Sequence, residues 1–413
     1  MTVADVDPAT TGTGPLAGLK VLEISHFVAA PFCARLLGDL GADVIKVEPR
    51  GGDPVRTWGK AKDGRSVWWS VHGRNKRSLT LDLKTGEGRD IALRLAEKSD
   101  VLIENFRPGQ LARLGLSDEL LRERNPRLII AHISGFGQDG PDRDRSGFGA
   151  IGEAIGGLRY LTNHPANLTG LPPVRVGISI GDSIAGLYAA FGILAALWQR
   201  DRAGGSGLGQ PVDVALTEAI LSMMEGVIAE YGALGEIRAP AGSRIPTTAP
   251  SNAYPSADGN WVIIAANSQP LFARLTSLMG RPDLPADERF CDNPARVANV
   301  DALDALIEGW TRTKTAAELD AALASANIPA CRIYSAADIA TDRQFRARRM
   351  VREVADPLLG PVLHPGIVPH MPESEGEVRW TGPETGAHSA DVLGSVLDMS
   401  AAEIAELREK QVI

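Results

Sequence analysis

At 413 residues, 44% hydrophobic and 23% charged, the chain is globular, too long for one ordinary domain and able to bury large cores. A net charge of −8 with no basic face excludes a nucleic-acid or anionic-membrane partner, and three scattered cysteines (Cys33, Cys291, Cys331) exclude a disulfide framework and a zinc site. No apolar run is read as membrane-spanning and the acidic N-terminus is not read as a signal peptide, so a cytoplasmic enzyme is expected.

Residues 1–16 are expected as a disordered lead-in. Leu19–Ser25 reads as a strand, His26–Pro31 as a turn with Pro31 at the first helical position, Phe32–Leu40 as a helix and Asp43–Glu48 as the next strand. Strand, short helix, strand is a βαβ unit with parallel strands. The first turn lacks Gly-x-Gly-x-x-Gly, so a nicotinamide-dependent enzyme loses support. Further strands are expected at Arg77–Asp82, Val101–Glu104 and Leu128–Ser134, with a helix over Gly88–Lys98. The sum is a doubly wound α/β domain, whose ligands bind in loops beyond the strand carboxyl ends. Those loops carry His26–Pro31, Pro49–Asp53, Asn105–Gly109 and Gly135–Gly140.

Gly177–Trp198 reads as a glycine-flanked turn running into an apolar helix whose only side chain charged at neutral pH is Asp182. Ile184, Leu187, Tyr188, Phe191, Leu194 and Trp198 form a bulky face, and Ala185, Ala189, Gly192 and Ala196 a small one, so the helix is expected to be buried. Asp182 at its mouth is either an N-cap or a carboxylate that reacts; the dipole favours its ionised form. Pro211–Leu216 is expected to lead into a helix ending near Tyr231, and Gly232–Pro250 marks a domain crossing. A smaller α+β module follows, with strands at Asn260–Ala266 and Ala330–Tyr334 and helices at Leu271–Met279, Val300–Trp310 and Ala316–Ala326. Extended segments are expected at Met350–Val354 and Pro361–Val368, and a last helix over Ala401–Lys410.

His132, inside an apolar strand, reads as a satisfied core residue. His72, Arg74, Asn75, Lys76 and Arg77 make a short basic cluster, either a solvated loop or a phosphate contact. Arg50, Arg107 and Arg113 fall in the same rim of loops, and several cations at one end of a parallel sheet suit a phosphorylated ligand.

These segments, in this order, resemble the family III CoA-transferases: Gly18–Glu23, Leu40–Glu48, Asn75–Ser78 with Leu81 and Asp82, Glu104–Gly109, Asn125–Arg127, Gly181–Asp182 and Lys410–Ile413. The likeness runs from about Pro15 to Ile413. It implies a Rossmann-like large domain (17–225 with 336–413), a small α+β domain (226–335) and two ring-like subunits interlocked as a homodimer. It makes Asp182 the nucleophile that accepts the acyl group and then CoA. By the same matching Val28, Arg50, Lys76, Asn105, Phe106, Arg113 and Leu114 fall near CoA-contacting positions. CoA is then a substrate, and no metal or redox cofactor is implied.

Two departures narrow the reading. Formyl-CoA transferase has a Gln where this chain has Val28 and a glycine-run loop absent here, so formate or oxalate transfer is not expected. The related α-methylacyl-CoA racemases carry a catalytic His in the segment matching Ser146–Gly149, where this chain has none. A racemase-like enzyme and a non-catalytic CoA-binding protein remain the alternatives. His26 in the first loop, and Arg244 in a segment resembling the family's substrate region, are candidate substrate contacts. A spare Arg244 favours dicarboxylates such as succinate, malate or citramalate.

Overall fold

The computed structural model describes residues 13–165 and 170–413, which divide into two compact units. The first runs up to Leu158 and adds Val176–Ala229 and Gln344–Ile413; the second takes Arg159–Arg175 and Glu230–Arg343.

The first unit is built on six parallel strands: β1 (Lys20–Ile24), β2 (Asp43–Glu48), β3 (Lys76–Thr80), β4 (Val101–Glu104), β5 (Ile129–Ser134) and β6 (Pro211–Ala215). Their order is β3-β2-β1-β4-β5-β6. The inner strands are near-continuous Val, Ile and Leu because both faces are covered. Strand β6 was not expected. It alternates, lies at the sheet edge and opens on Pro211, a position that needs no ladder N–H. The helix expected after it is two pieces, Leu216–Leu221 and Val227–Leu234.

Alternation within the strands feeds two cores. Leu22, Ile24 and Ile45 pack with helix Gly86–Glu97 and with Val392, Leu393, Ile404 and Leu407 of the C-terminal helices Ser389–Leu397 and Ala401–Glu409. Val21, Val44 and Ile103 face the opposite way, onto helices Ala29–Asp39 and Ile180–Asp201. The strand order reverses between β1 and β4, so the crevice at a topological switch point opens beyond their carboxyl ends.

Several expectations change here. The part of the lead-in that lies at residues 1–12 is outside the described residues, but Gly14 is buried with its backbone against the Leu40 carbonyl and Leu16 donates to that carbonyl at 2.9 Å. Pro31 is the third helical residue, not the first. Helix Ile180–Asp201 is, by length and composition, apolar enough to cross a membrane, contrary to expectation. It is also not buried all round. Its small face, Ala185, Ala189 and Ala196, packs into the core, and a Cβ on Gly186 would lie 2.5 Å from the Ala29 carbonyl oxygen. The bulky face is turned out: Phe191 is 68% and Trp198 70% exposed. Small residues win the interface because they let two helix backbones approach closely.

The basic cluster is neither solvated nor free for phosphate. Arg74 grips Asp39 at 2.6 Å, the Asn75 amide donates to Asp39 at 2.9 Å, and Arg77 pairs with Asp43 and Asp391. Each acidic partner is remote in sequence, so no local pattern announces it.

The second unit has a three-stranded antiparallel sheet, Ala330–Arg332 beside Trp261–Ala265 beside Ser251–Pro255. Helices Gln269–Leu278, Val300–Thr311 and Ala316–Ser325 cover a core around Tyr254, Phe272 and Leu303. Of these elements, strand Ser251–Pro255 was not expected.

Candidate active site

Loops after β1, β4 and β5, the approach to helix Gly149–Ile155 and the first turn of helix Ile180–Asp201 enclose one cavity. It holds about 220 Å³, below the roughly 300–1,000 Å³ of a whole ligand pocket, so it suits the reacting end of a larger ligand. Asp182 lines it.

Asp182 is the third residue of its helix, half-buried, and the N-cap is Ser179. The capping role considered for Asp182 is therefore not its geometry. A first-turn carboxylate is favoured in its ionised form by the helix dipole. The segment Ser146–Gly149 crosses in front of it. Gly147 lies backbone to backbone against Gly135, and a Cβ on Gly149 would fall 2.2 Å from Asp182 Oδ2.

The first loop is held by side chains spent on backbone. Asn105 Oδ1 accepts from the His26 N–H at 3.0 Å, and its Nδ2 donates to the His26 carbonyl at 2.7 Å. Asp53 Oδ1 accepts from Phe27 N–H at 3.1 Å and Val55 N–H at 2.9 Å. Phe27 sits at φ 65, a left-handed conformation that a bulky residue adopts only when its surroundings impose it. The Phe27 ring meets Phe148 edge-on at 6.1 Å. His26 packs on Phe27 and Phe106, and burial lowers its pKa, keeping the imidazole neutral near pH 7.

Beneath this loop lies a buried ion network. Lys46 Nζ reaches Glu23 at 2.7 Å and Asp53 at 2.8 Å, and Lys76 Nζ reaches Glu23 at 2.8 Å and the Pro31 carbonyl at 2.7 Å. Burial alone would raise the Glu23 pKa, yet the two ammonium groups hold it at about 2. A second network supports the β4 loop. His132 Nδ1 lies 2.6 Å from Glu104 and its Nε2 2.9 Å from Asp118, while Glu104 Oε2 accepts from the Phe106 N–H at 2.7 Å. His132 is the satisfied core residue its strand implied. Burial opposes its charge, but the two carboxylates raise its pKa to about 10.

Of the candidate site residues, the cavity gathers His26, read from its loop position, and Val28, Asn105, Phe106 and Asp182, carried over from the resemblance. It does not gather Arg50, Lys76, Arg113, Leu114 or Arg244. Lys76 is fully buried and bound within the protein, so it is no phosphate contact; Asn105 lines the cavity but commits its amide to His26. Arg50 and Arg113 are exposed and Leu114 half-buried outside the cavity. Arg244 is not spare: it pairs with Asp304 at 2.7 Å and Asp301 at 2.8 Å in the second unit. The cations lining the cavity are Arg107, which donates to Ser146 Oγ at 2.5 Å, and Arg145. Arg107 belonged to the expected rim; Arg145 sits in a charged loop with no motif to single it out.

A strand order and a switch-point cavity of this kind define an α/β enzyme scaffold, and the comparisons give its family. The profile of CoA-transferase family III matches residues 16–389. Succinyl-CoA–D-citramalate CoA-transferase of Chloroflexus aurantiacus is 46% identical over 97% of this chain and 98% of its own. The succinyl-CoA–L-malate CoA-transferase beta subunit of the same organism is 39% identical over 98% and 99%. A CAIB/BAIF family protein from Brucella suis superimposes with a TM-score of 0.82 at 36% identity, covering 93% of this chain and 99% of that one. The chain belongs to CoA-transferase family III.

Proposed function

We propose that this CoA-transferase moves CoA from an acyl-CoA, succinyl-CoA foremost, to a free dicarboxylic acid through an aspartyl-CoA thioester on Asp182. The observation that carries the reading is a half-buried first-turn carboxylate lining the switch-point cavity in a family III chain. The dicarboxylate assignment draws on the citramalate and malate enzymes among its relatives. Arg107 and Arg145 on the cavity wall suit an anionic substrate.

An Asp182 oxygen attacks the thioester carbonyl, forming a mixed anhydride and releasing CoA thiolate. The thiolate attacks the aspartyl carbonyl, leaving an aspartyl-CoA thioester and the free donor acid. The acceptor carboxylate then reverses both steps. Splitting one acyl transfer in this way lowers each barrier. Backbone N–H groups at the glycine turns stabilise the tetrahedral oxyanions, each donor being worth about 3–4 kcal/mol in enzymes of known mechanism. What weighs against a racemase is that the segment Ser146–Gly149 beside Asp182 holds no histidine to act as a second base.

The cytoplasm is the proposed compartment, in keeping with three free cysteines. The working form is proposed to be a homodimer, with the exposed Phe191–Trp198 face covered by a second copy.

Asp182→Asn is expected to fold and to transfer no CoA. Wild type incubated with succinyl-CoA should gain the mass of CoA less water on the peptide holding Asp182, and hydroxylamine should convert it to a hydroxamate. Retained transfer in Asp182→Asn, or an adduct elsewhere, overturns the mechanism. A panel of acids read by mass identifies the acceptor.

A further inference from the structure

The proposal that follows rests on Asp182 as nucleophile. We propose that Gly149 is a positioning residue: the absence of a side chain there is the seat of the Asp182 carboxylate. A Cβ at Gly149 would lie 2.2 Å from Asp182 Oδ2, 2.7 Å from its Cγ and 3.1 Å from its backbone nitrogen. The first two distances are closer than any Cβ approaches a neighbouring atom.

The backbone does not ask for glycine at this position. Gly149 is the first residue of helix Gly149–Ile155 and is not among the glycines with positive φ. Alanine is the better helix former, so conformation alone favours it. The requirement comes from the carboxylate.

Nor can the surroundings yield. A Cβ on Gly181 would meet the Gly149 carbonyl oxygen at 2.7 Å, so the two backbones already touch beside Asp182. One turn on, a Cβ at Gly152 would meet the Leu216 carbonyl oxygen at 2.9 Å, and a turn further one at Gly156 would meet Ile220 Cγ2 at 2.5 Å. The short helix is seated along its length and cannot slide away from a methyl group at its start. The carboxylate must move instead. A misplacement of about 1 Å at a reacting atom costs roughly 100-fold in rate, while acyl-CoA contacts elsewhere are untouched.

The test is a set of variants of the full chain assayed with succinyl-CoA and an accepted acid. Gly149→Ala should lower kcat, and the rate of aspartyl-CoA formation, about 100-fold with the KM for succinyl-CoA within about twofold. Gly156→Ala, a similarly crowded site at the C-cap of the same helix and away from Asp182, should keep kcat within about twofold. Wild-type kcat in Gly149→Ala, or an equal loss in Gly156→Ala, overturns the proposal. A thermal double-mutant cycle covers the case of poor folding. Gly149→Ala should lower Tm in the wild-type background and leave it unchanged or raised on Asp182→Ala, where the opposing carboxylate is gone. An equal drop in both backgrounds overturns the placement. The cycle reads placement alone, so it stands apart from Asp182→Asn, whose retained activity would sink the nucleophile and not the seat.

Discussion

Lys76 carries a lesson in what a charged residue near a ligand loop can mean. A surface lysine would bind phosphate, but this one spends its ammonium on Glu23 and the Pro31 carbonyl at full burial. Removing Lys76 leaves Glu23 with Lys46 alone, and losing one member of a buried ion pair typically costs up to about 3–5 kcal/mol. Lys76→Met is therefore expected to lower the unfolding free energy by that order in urea titration, while the folded enzyme keeps its KM for acyl-CoA. A large rise in KM at unchanged stability would return Lys76 to the ligand. The sequence carried the family match at this residue but not its surroundings, because Glu23 and Pro31 come from another strand and another helix. Asp182 was legible for the opposite reason: it is the lone charged group in its own apolar stretch.

At the scale of elements, the β4 loop is clamped by a protonated histidine. The chain Asp118, His132, Glu104 and the Phe106 N–H fixes one wall of the cavity. The folded pKa of His132, about 10, lies above its ordinary value near 6.5. Between those values the folded state holds a proton that the unfolded state has lost. Stability from this group is thus complete below about pH 6.5 and drains as pH rises through 10, by at most about 1.4 kcal/mol per pH unit. His132→Gln should flatten that alkaline slope in chemical denaturation, lower stability at pH 6 and raise the KM for acyl-CoA as the Phe106 loop loosens. An unchanged slope would mean that the imidazole is neutral in the folded state. The elements themselves were largely readable: strands ending at Glu48, Glu104 and Ser134 lie where apolar runs placed them. Strand Pro211–Ala215 was missed because a short alternating run opening on proline imitates a helix lead-in, and helix Ser389–Leu397 because its apolar face only has meaning against a sheet built from the start of the chain.

For the whole molecule, the outward face of the Asp182 helix is the surface on which the proposed homodimer rests. Leu187, Phe191, Leu194 and Trp198 are all exposed along this helix, and clustered exposed apolar side chains mark interaction surfaces. Sedimentation of the wild type at micromolar concentration should give a dimer and no folded 43.8 kDa species. Aspartate at both Phe191 and Trp198 should produce that monomer or an unfolded chain. A stable wild-type monomer removes the proposed assembly. Composition announced this helix as apolar but could not say which face looked outward, since small and bulky stripes are equally hydrophobic and only the neighbour's close backbone chooses between them.

The return of the chain to its first unit sets an order of events on the ribosome. Leu22, Ile24 and Leu79 share a core with Val392, Leu407 and Val412, and the Asp82 N–H donates to the Val412 carbonyl at 2.8 Å. Those partners are translated after every residue of the second unit. The nascent sheet therefore waits, one apolar flank open, while Glu230–Arg343 is made as an uninterrupted stretch with its own core. The unit that holds the cavity, begun first, is finished last, and in the interval in between its open apolar flank is the surface most prone to aggregation.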